Sequence, residues 1–250
     1  MVMPTPLFNV GTLEPFIATR LLAYGTVVVA GATLLYYLFA YVRFVLAAHH
    51  GRGWWYVGIG IGAGMVYGVS GLLDLVTAIP WLRVVTRGGA LFFILFLSLG
   101  IRAMYVENRD SSASNVRTPM VDYAVFGGVV LAWWIGFLSS RLVWISLVET
   151  IGWGGATLWV FRYGVLTVRA HEGTSFAAVV RHLLPAVISF VIVVFSDLVG
   201  IYTLQYAAVV DAVWVIGTVL VAAFLFNTAV AIRHQGAEVE RKYDWTTWRG

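Results

Sequence analysis

Seven long apolar segments constrain the fold of this chain more than any other feature. A helix needs roughly 20 mostly apolar residues to cross about 30 Å of hydrocarbon. Charged residues make up only 11% of the 250-residue chain, whereas about 25% are charged in a typical soluble domain. The sequence therefore predicts an all-α, seven-helix transmembrane bundle. The predicted spans are 17–47, 54–79, 84–106, 121–138, 142–168, 177–200 and 204–232.

The distribution of arginine and lysine predicts the orientation of this bundle in a cell membrane. Cytoplasmic ends carry the excess of these residues, and only four of the 16 fall at one set of segment ends. We therefore expect the N-terminus outside, a seven-helix domain over 1–232 and a cytoplasmic tail over 233–250. Single arginines at segment ends favour contacts with membrane lipids and argue against nucleic acid as a partner. The four outer residues are Arg20, Arg83, Arg87 and Arg141.

Ionisable residues inside the predicted spans gather in the outer half of the membrane. A charged side chain inside the bilayer costs free energy unless it has a partner of opposite charge or contact with water. By default such residues therefore mark functional sites. One hypothesis is a structural clamp in which Asp74 pairs with Arg83 or Arg87, and Asp211 pairs with the arginine that is left. The other hypothesis is an outer-facing ligand or ion site. The candidate residues are Asp74, Arg83, Arg87, Glu149, Asp197 and Asp211.

Cysteine and histidine usage argues against metal and haem sites. The chain has no cysteine, which excludes thiolate ligands. Its five histidines fall at predicted cytoplasmic ends, and the adjacent His49 and His50 have poor spacing for a metal site. An enzyme would need clustered acids or histidines facing a cleft, so we predict that the protein is not an enzyme.

Lysine occurs once, at Lys242 in the polar tail. No primary amine therefore lies in any of the predicted spans. Because a Schiff base requires such an amine, the sequence predicts that no aldehyde cofactor is covalently bound inside the bundle.

Motifs in three spans carry a resemblance to a known family. The fifth span opens with 141–144 (RLVW) and closes with 158–164 (LWVFRYG), and Pro185 lies inside the sixth. The third span opens with 83–86 (RVVT). These motifs resemble the corresponding helices of microbial (type 1) rhodopsins, particularly of the haloarchaeal kind. The resemblance implies an opsin-like layout.

The same resemblance implies that the retinal chemistry of the family is missing. Asp211 matches the second counterion of the family, but Val215 stands where the retinal-bearing lysine belongs. Thr86 replaces the primary acid of a pump, and Arg87 replaces a pocket tryptophan. The resemblance therefore implies no covalent retinal, with non-covalent retinal or a carotenoid left as pigment ligands. Arg83, Arg87 and Asp211 would form the polar core.

These features together favour a receptor or accessory protein that binds a ligand or a membrane partner. Deep tryptophans such as Trp214 would line a flat ligand in that case, although packing is the alternative role. A homodimer or homotrimer suits such a bundle. The competing hypothesis is an ion or small-solute transporter or channel. It requires a polar path through both membrane halves, and the inner half holds little beyond Arg162.

Overall fold

The computed structural model describes residues 10–41, 51–77, 79–109, 120–170, 175–202 and 207–247. Across these ranges the chain forms seven α-helices and no strand, which confirms the predicted all-helical fold. The helices are α1 Val10–Tyr41, α2 Gly51–Thr77, α3 Pro80–Arg109, α4 Met120–Leu138, α5 Leu142–Ala170, α6 Ser175–Tyr202 and α7 Ala207–Thr247.

Five of these helices, α1, α2, α3, α6 and α7, are long and apolar enough to cross a membrane. The apolar part of α4, Tyr123–Leu138, is shorter. The 29 residues of α5 would reach across, but this helix contains Glu149 and several glycine, threonine and tryptophan residues that lower its hydropathy. Length and composition therefore support a membrane protein.

The helix bounds differ from the predicted spans mainly at polar ends. The start of α1 at Val10 precedes the predicted start at 17, and the predicted end at 47 lies outside the described residues. Helix α3 begins at Pro80, because proline fits the first turn of a helix. Helix α7 continues to Thr247, so most of the predicted tail is helical. Its glutamate, arginine and lysine residues are good helix formers.

Helix α3 is the most buried of the five apolar helices. In its most apolar stretch 72% of residues are buried, compared with 33% in α1 and α7. It packs chiefly against α2 and α5, with smaller contacts to α4 and α6, while α1 packs against both α2 and α7. The helices therefore enclose α3, and side chains on α3 are placed to connect several of its neighbours.

Glycines hold the α2 and α3 backbones in direct contact. A Cβ atom at Gly60 would lie 3.0 Å from the Leu97 nitrogen, and one at Gly89 would lie 2.8 Å from the Tyr67 nitrogen. A Cβ atom at Gly100 would lie 2.9 Å from the Gly53 oxygen. Small residues permit such close approach of helices in lipid. The glycine run of α2 is thus a packing feature.

A tight turn joins α4 and α5 and sets these helices antiparallel. Ser140 adopts a left-handed backbone conformation, with φ at 53°, and the Arg141 nitrogen donates to the Gly136 oxygen at 3.1 Å. This hydrogen bond satisfies a carbonyl that the end of a helix otherwise leaves unpaired. The turn brings Trp133 of α4 beside Glu149 of α5.

Candidate functional site

Three ion pairs connect helices at one end of the bundle, within the part of the chain that the structure describes. This end, where α2 ends and α3 begins, is called here the outer end, after the orientation that the arginine distribution predicts. One pair joins α1 to α7, one joins α2 to α3, and one joins α3 to α5. The pairs are Arg20–Asp211 at 2.5 Å, Arg83–Asp74 at 3.4 Å and Arg87–Glu149 at 2.8 Å.

The observed pairing agrees with the clamp hypothesis in one part and corrects it in another. Asp74 pairs with Arg83, as predicted. The predicted pairing of Asp211 with the remaining arginine is wrong. Helix α7 packs against α1 and α6, so Asp211 meets Arg20 of α1. Sequence reasoning gave Arg20 only a topological role, although its position near the outer end of the first span placed it at the depth of Asp211.

The pair between Arg87 and Glu149 is the most buried of the three. The Glu149 side chain is 0% exposed, and that of Arg87 is 30% exposed. The indole Nε1 of Trp133 donates to Glu149 Oε1 at 3.0 Å, and the Arg87 guanidinium lies 5.9 Å from the ring centre of Trp153. A buried carboxylate is tolerated only when it is paired and hydrogen-bonded, and these partners meet that requirement from α3 and α4.

Gly88 explains how Trp133 reaches this carboxylate. A Cβ atom at position 88 would lie 2.2 Å from Trp133 Cζ2, so any larger residue at this position would displace the indole. Phe92, one turn along α3, makes an edge contact with the same indole at 5.1 Å. The hydrogen bond from Trp133 to Glu149 therefore depends on Gly88, a residue without a side chain.

The Arg20–Asp211 pair is partly exposed at the surface of the bundle. The Arg20 and Asp211 side chains are 34% and 31% exposed. The Arg20 guanidinium lies 5.2 Å from the ring centre of Trp214, within the range of a cation–π interaction. Trp214, a predicted site residue, is itself buried, so this pair joins the surface of the bundle to its interior.

Substitution of Arg20 tests this pair. We expect Arg20→Gln to lower the free energy of unfolding by about 1 kcal/mol, since the pair is partly exposed and such pairs contribute little. Asp211→Asn should have a similar effect. Because both variants remove the same interaction, the double variant should be scarcely less stable than either single one. Additive losses in a detergent unfolding titration would show that the two side chains do not interact.

Five aromatic rings form a continuous line of contacts, called here the aromatic chain, about one turn deeper than the ion pairs. Arg20 precedes Tyr24 by four residues, and Asp211 precedes Trp214 by three, which is about one helical turn in each case. The rings come from α7, α1, α2, α6 and α3 in that order. The centroid distances are Trp214–Tyr24 4.9 Å, Tyr24–Tyr67 5.3 Å, Tyr67–Phe190 5.0 Å and Phe190–Phe93 4.6 Å.

The aromatic chain fills the centre of the bundle between α2, α3 and α6. Tyr67, Phe93 and Phe190 are each at most 2% exposed. Val215 is partly buried and packs against the same core. The buried hydroxyl of Thr86 lies 2.9 Å from Ser70 Oγ, so this predicted site residue contacts α2 instead of a charged group.

A second polar cluster lies at the opposite end of the bundle, called here the inner end after the same predicted orientation. The Arg102 guanidinium lies 5.5 Å from the ring centres of both Trp159 and Tyr163, and Arg162 lies 5.9 Å from that of Tyr163. Sequence reasoning assigned Arg102 only to a segment end and missed this cluster. The signal was present, since Arg102 falls four residues inside the end of its span at Val106.

The structure distributes the predicted site residues over separate places. Arg83 is 77% exposed beside Asp74, and the side chain of Asp197 in α6 lies outside the described residues. Among the described side chains, no group of three histidine or acidic residues is arranged to hold a metal ion. Comparisons of the chain with protein-family models, curated proteins and solved structures find no match.

Proposed function

We propose that this protein is an opsin-like integral membrane protein that holds no covalent retinal and acts as a receptor or as an accessory protein that binds a membrane partner. The observation that carries this proposal is the partly exposed Arg20–Asp211 pair, which joins the first and last helices directly above the aromatic chain. The pair offers a charged contact at the surface, and the rings connect it with the interior.

A binding event at this pair would reach the other helices through packed rings. A ligand or partner that competes for Arg20 or Asp211 would release α1 from α7 at the outer end. Trp214, which lies under Arg20, contacts Tyr24, and Tyr24 contacts Tyr67. Because packed interiors transmit strain, displacement of the pair would move rings on α2 and α6. This supports a receptor more than a passive scaffold.

The alternative function, a transporter or channel, receives less support. Conduction requires binding sites or a wetted path along the pore. The aromatic chain crosses the centre of the bundle, and four of its five rings are almost fully buried. The ion pairs, where the structure describes them, are confined to the outer end. The observed arrangement therefore favours coupling between helices over passage of a solute.

Pigment binding remains part of the proposal in non-covalent form only. Val215 and the position of Lys242 in the tail leave no amine within the helix bundle for retinal. The rings of Tyr67 and Phe190 already occupy the centre. We therefore expect non-covalent retinal or a carotenoid to bind between a helix and the surrounding lipid.

Introduction of an amine tests the opsin-like layout. We expect wild-type protein to form no retinal adduct within its apolar spans after borohydride reduction, and Val215→Lys to form little, because rings fill the centre. Any adduct at the Lys242 amine is common to all variants. The double variant Val215→Lys, Phe190→Ala should form substantially more, since removal of the ring opens space in the core against which Val215 packs. Intact mass and visible absorbance would measure the adduct.

The matched control for this test is Val219→Lys, one turn further along α7. Val219 is 45% exposed, so its amine would face away from the interior. Equal adduct formation by Val219→Lys and by the double variant would contradict the opsin-like layout. It would leave the partner-binding role standing.

Photo-crosslinking tests the receptor or accessory function itself. A photoreactive residue at Leu22 or Val209, both exposed and within two residues of the pair, should crosslink a membrane partner in native membranes. Leu131 in α4 is equally exposed but distant, and serves as the control. The proposal fails if crosslinks at Leu22 and Leu131 are the same, and if retinal, carotenoids and inorganic anions leave the melting temperature of the protein unchanged.

A further inference from the structure

The inner cluster places two positive charges on one tyrosine ring. Arg102 from α3 and Arg162 from α5 lie 5.5 and 5.9 Å from the ring centre of Tyr163. Arg102 lies four residues, or about 6 Å, inside the end of the apolar span of α3. This depth matches the boundary between hydrocarbon and headgroups, so a guanidinium there can reach the phosphate layer of a bilayer.

A hydrogen-bond donor without a partner belongs to the same cluster. The Nε1 atom of Trp159 is buried and donates to no acceptor among the described residues. The Arg102 guanidinium lies over the ring of this tryptophan. Buried donors nearly always find an acceptor. A cluster with two guanidinium groups and a spare indole N–H therefore suits an oxyanion ligand.

Exposed apolar side chains of α5 flank this cluster, and Leu158 lies on its side toward the middle of the membrane. Leu158 is 74% exposed, Phe161 36% and Val165 40%, and all three lie within four residues of Arg162 on α5. Arg162 is itself exposed. A ligand that contacts both the arginine cluster and these apolar side chains needs an anionic head and a hydrocarbon tail.

We propose that Arg102, Trp159, Arg162 and Tyr163 form a binding site for the phosphate of an anionic phospholipid in the inner leaflet. Basic pockets between transmembrane helices at the inner side of a membrane bind such headgroups. Arginine matches a phosphate through paired N–H donors. A zwitterionic headgroup binds less well, because its cation is repelled by the two arginines. This site does not depend on the proposed receptor function.

The test titrates the purified full chain in detergent with phosphatidylglycerol, phosphatidylcholine and inorganic phosphate, and follows lipid adducts by native mass spectrometry and the melting temperature. Phosphatidylglycerol should bind at least roughly tenfold more tightly than phosphatidylcholine, as expected for a charge-assisted contact. Arg162→Gln, at an exposed position, should weaken phosphatidylglycerol binding by about tenfold. Trp159→Phe, which keeps the ring and loses the donor, should weaken it by about threefold to tenfold.

The control is Arg141→Gln, which should leave lipid binding unchanged. Arg141 is an exposed arginine just before the first residue of α5, at the end opposite the cluster. Equal affinity for the two lipids would overturn the proposal. The proposal would also be overturned if Arg162→Gln and Trp159→Phe both fold like the wild type and bind phosphatidylglycerol as tightly. Binding of inorganic phosphate without any binding of phosphatidylglycerol would show a soluble-anion site and would overturn the lipid assignment.

Discussion

Arg87→Met should destabilise the protein by about 3 kcal/mol, since removal of one partner leaves the other charge buried and uncompensated. Glu149 is 0% exposed and has Arg87 as its ion-pair partner in α3. The Trp133 indole still donates to Glu149 in the variant, but a single neutral donor does not replace the guanidinium. A detergent unfolding titration of reconstituted protein measures the loss.

The double variant Arg87→Met, Glu149→Leu separates pairing from packing. Replacement of both charges by apolar groups of similar size is often neutral or stabilising, so most of the lost stability should return. Arg83→Met serves as the control, because Arg83 is 77% exposed and its pair should contribute at most about 1 kcal/mol. If Arg87→Met and Arg83→Met have the same effect, Glu149 is not held by Arg87.

Phe190→Ala should lower the free energy of unfolding by about 3–5 kcal/mol, the usual range for truncation of a buried phenylalanine. Phe190 is 1% exposed and contacts the rings of both Tyr67 and Phe93. Its removal interrupts the aromatic chain between α2 and α3. The same unfolding titration provides the measurement.

The matched control is Phe195→Ala on the same helix. Phe195 is 60% exposed, so its truncation opens no cavity and should change stability by at most about 0.5 kcal/mol. Similar losses for Phe190→Ala and Phe195→Ala would mean that the aromatic chain does not pack as described. In that case the proposed path from the Arg20–Asp211 pair to the other helices would also fail.

The helices were accessible from sequence, because apolar length is a local property. The sixth span, predicted at 177–200, is observed as Ser175–Tyr202, and the predicted break before the fifth coincides with the turn at Ser140. Composition within a window of about 20 residues contains this information.

The partners of the charged residues were less accessible, because they depend on which helices are neighbours. Arg20 and Asp211 are 191 residues apart in the chain, and no apolar pattern indicates that α1 packs against α7. Glu149 was identified as a buried acid, but its contact with Arg87 requires the orientation of α5 against α3. The fit of Trp133 over Gly88 is a packing detail of the same kind.

The glycine contacts between α2 and α3 have a consequence for any change of state. Their backbones touch at Gly60, Gly89 and Gly100, so no layer of side chains separates them and neither helix can slide or rotate without a backbone clash. The two helices must then move together as one rigid unit. In the proposed receptor, a change of conformation would therefore involve helices outside this pair, such as α6 and α7.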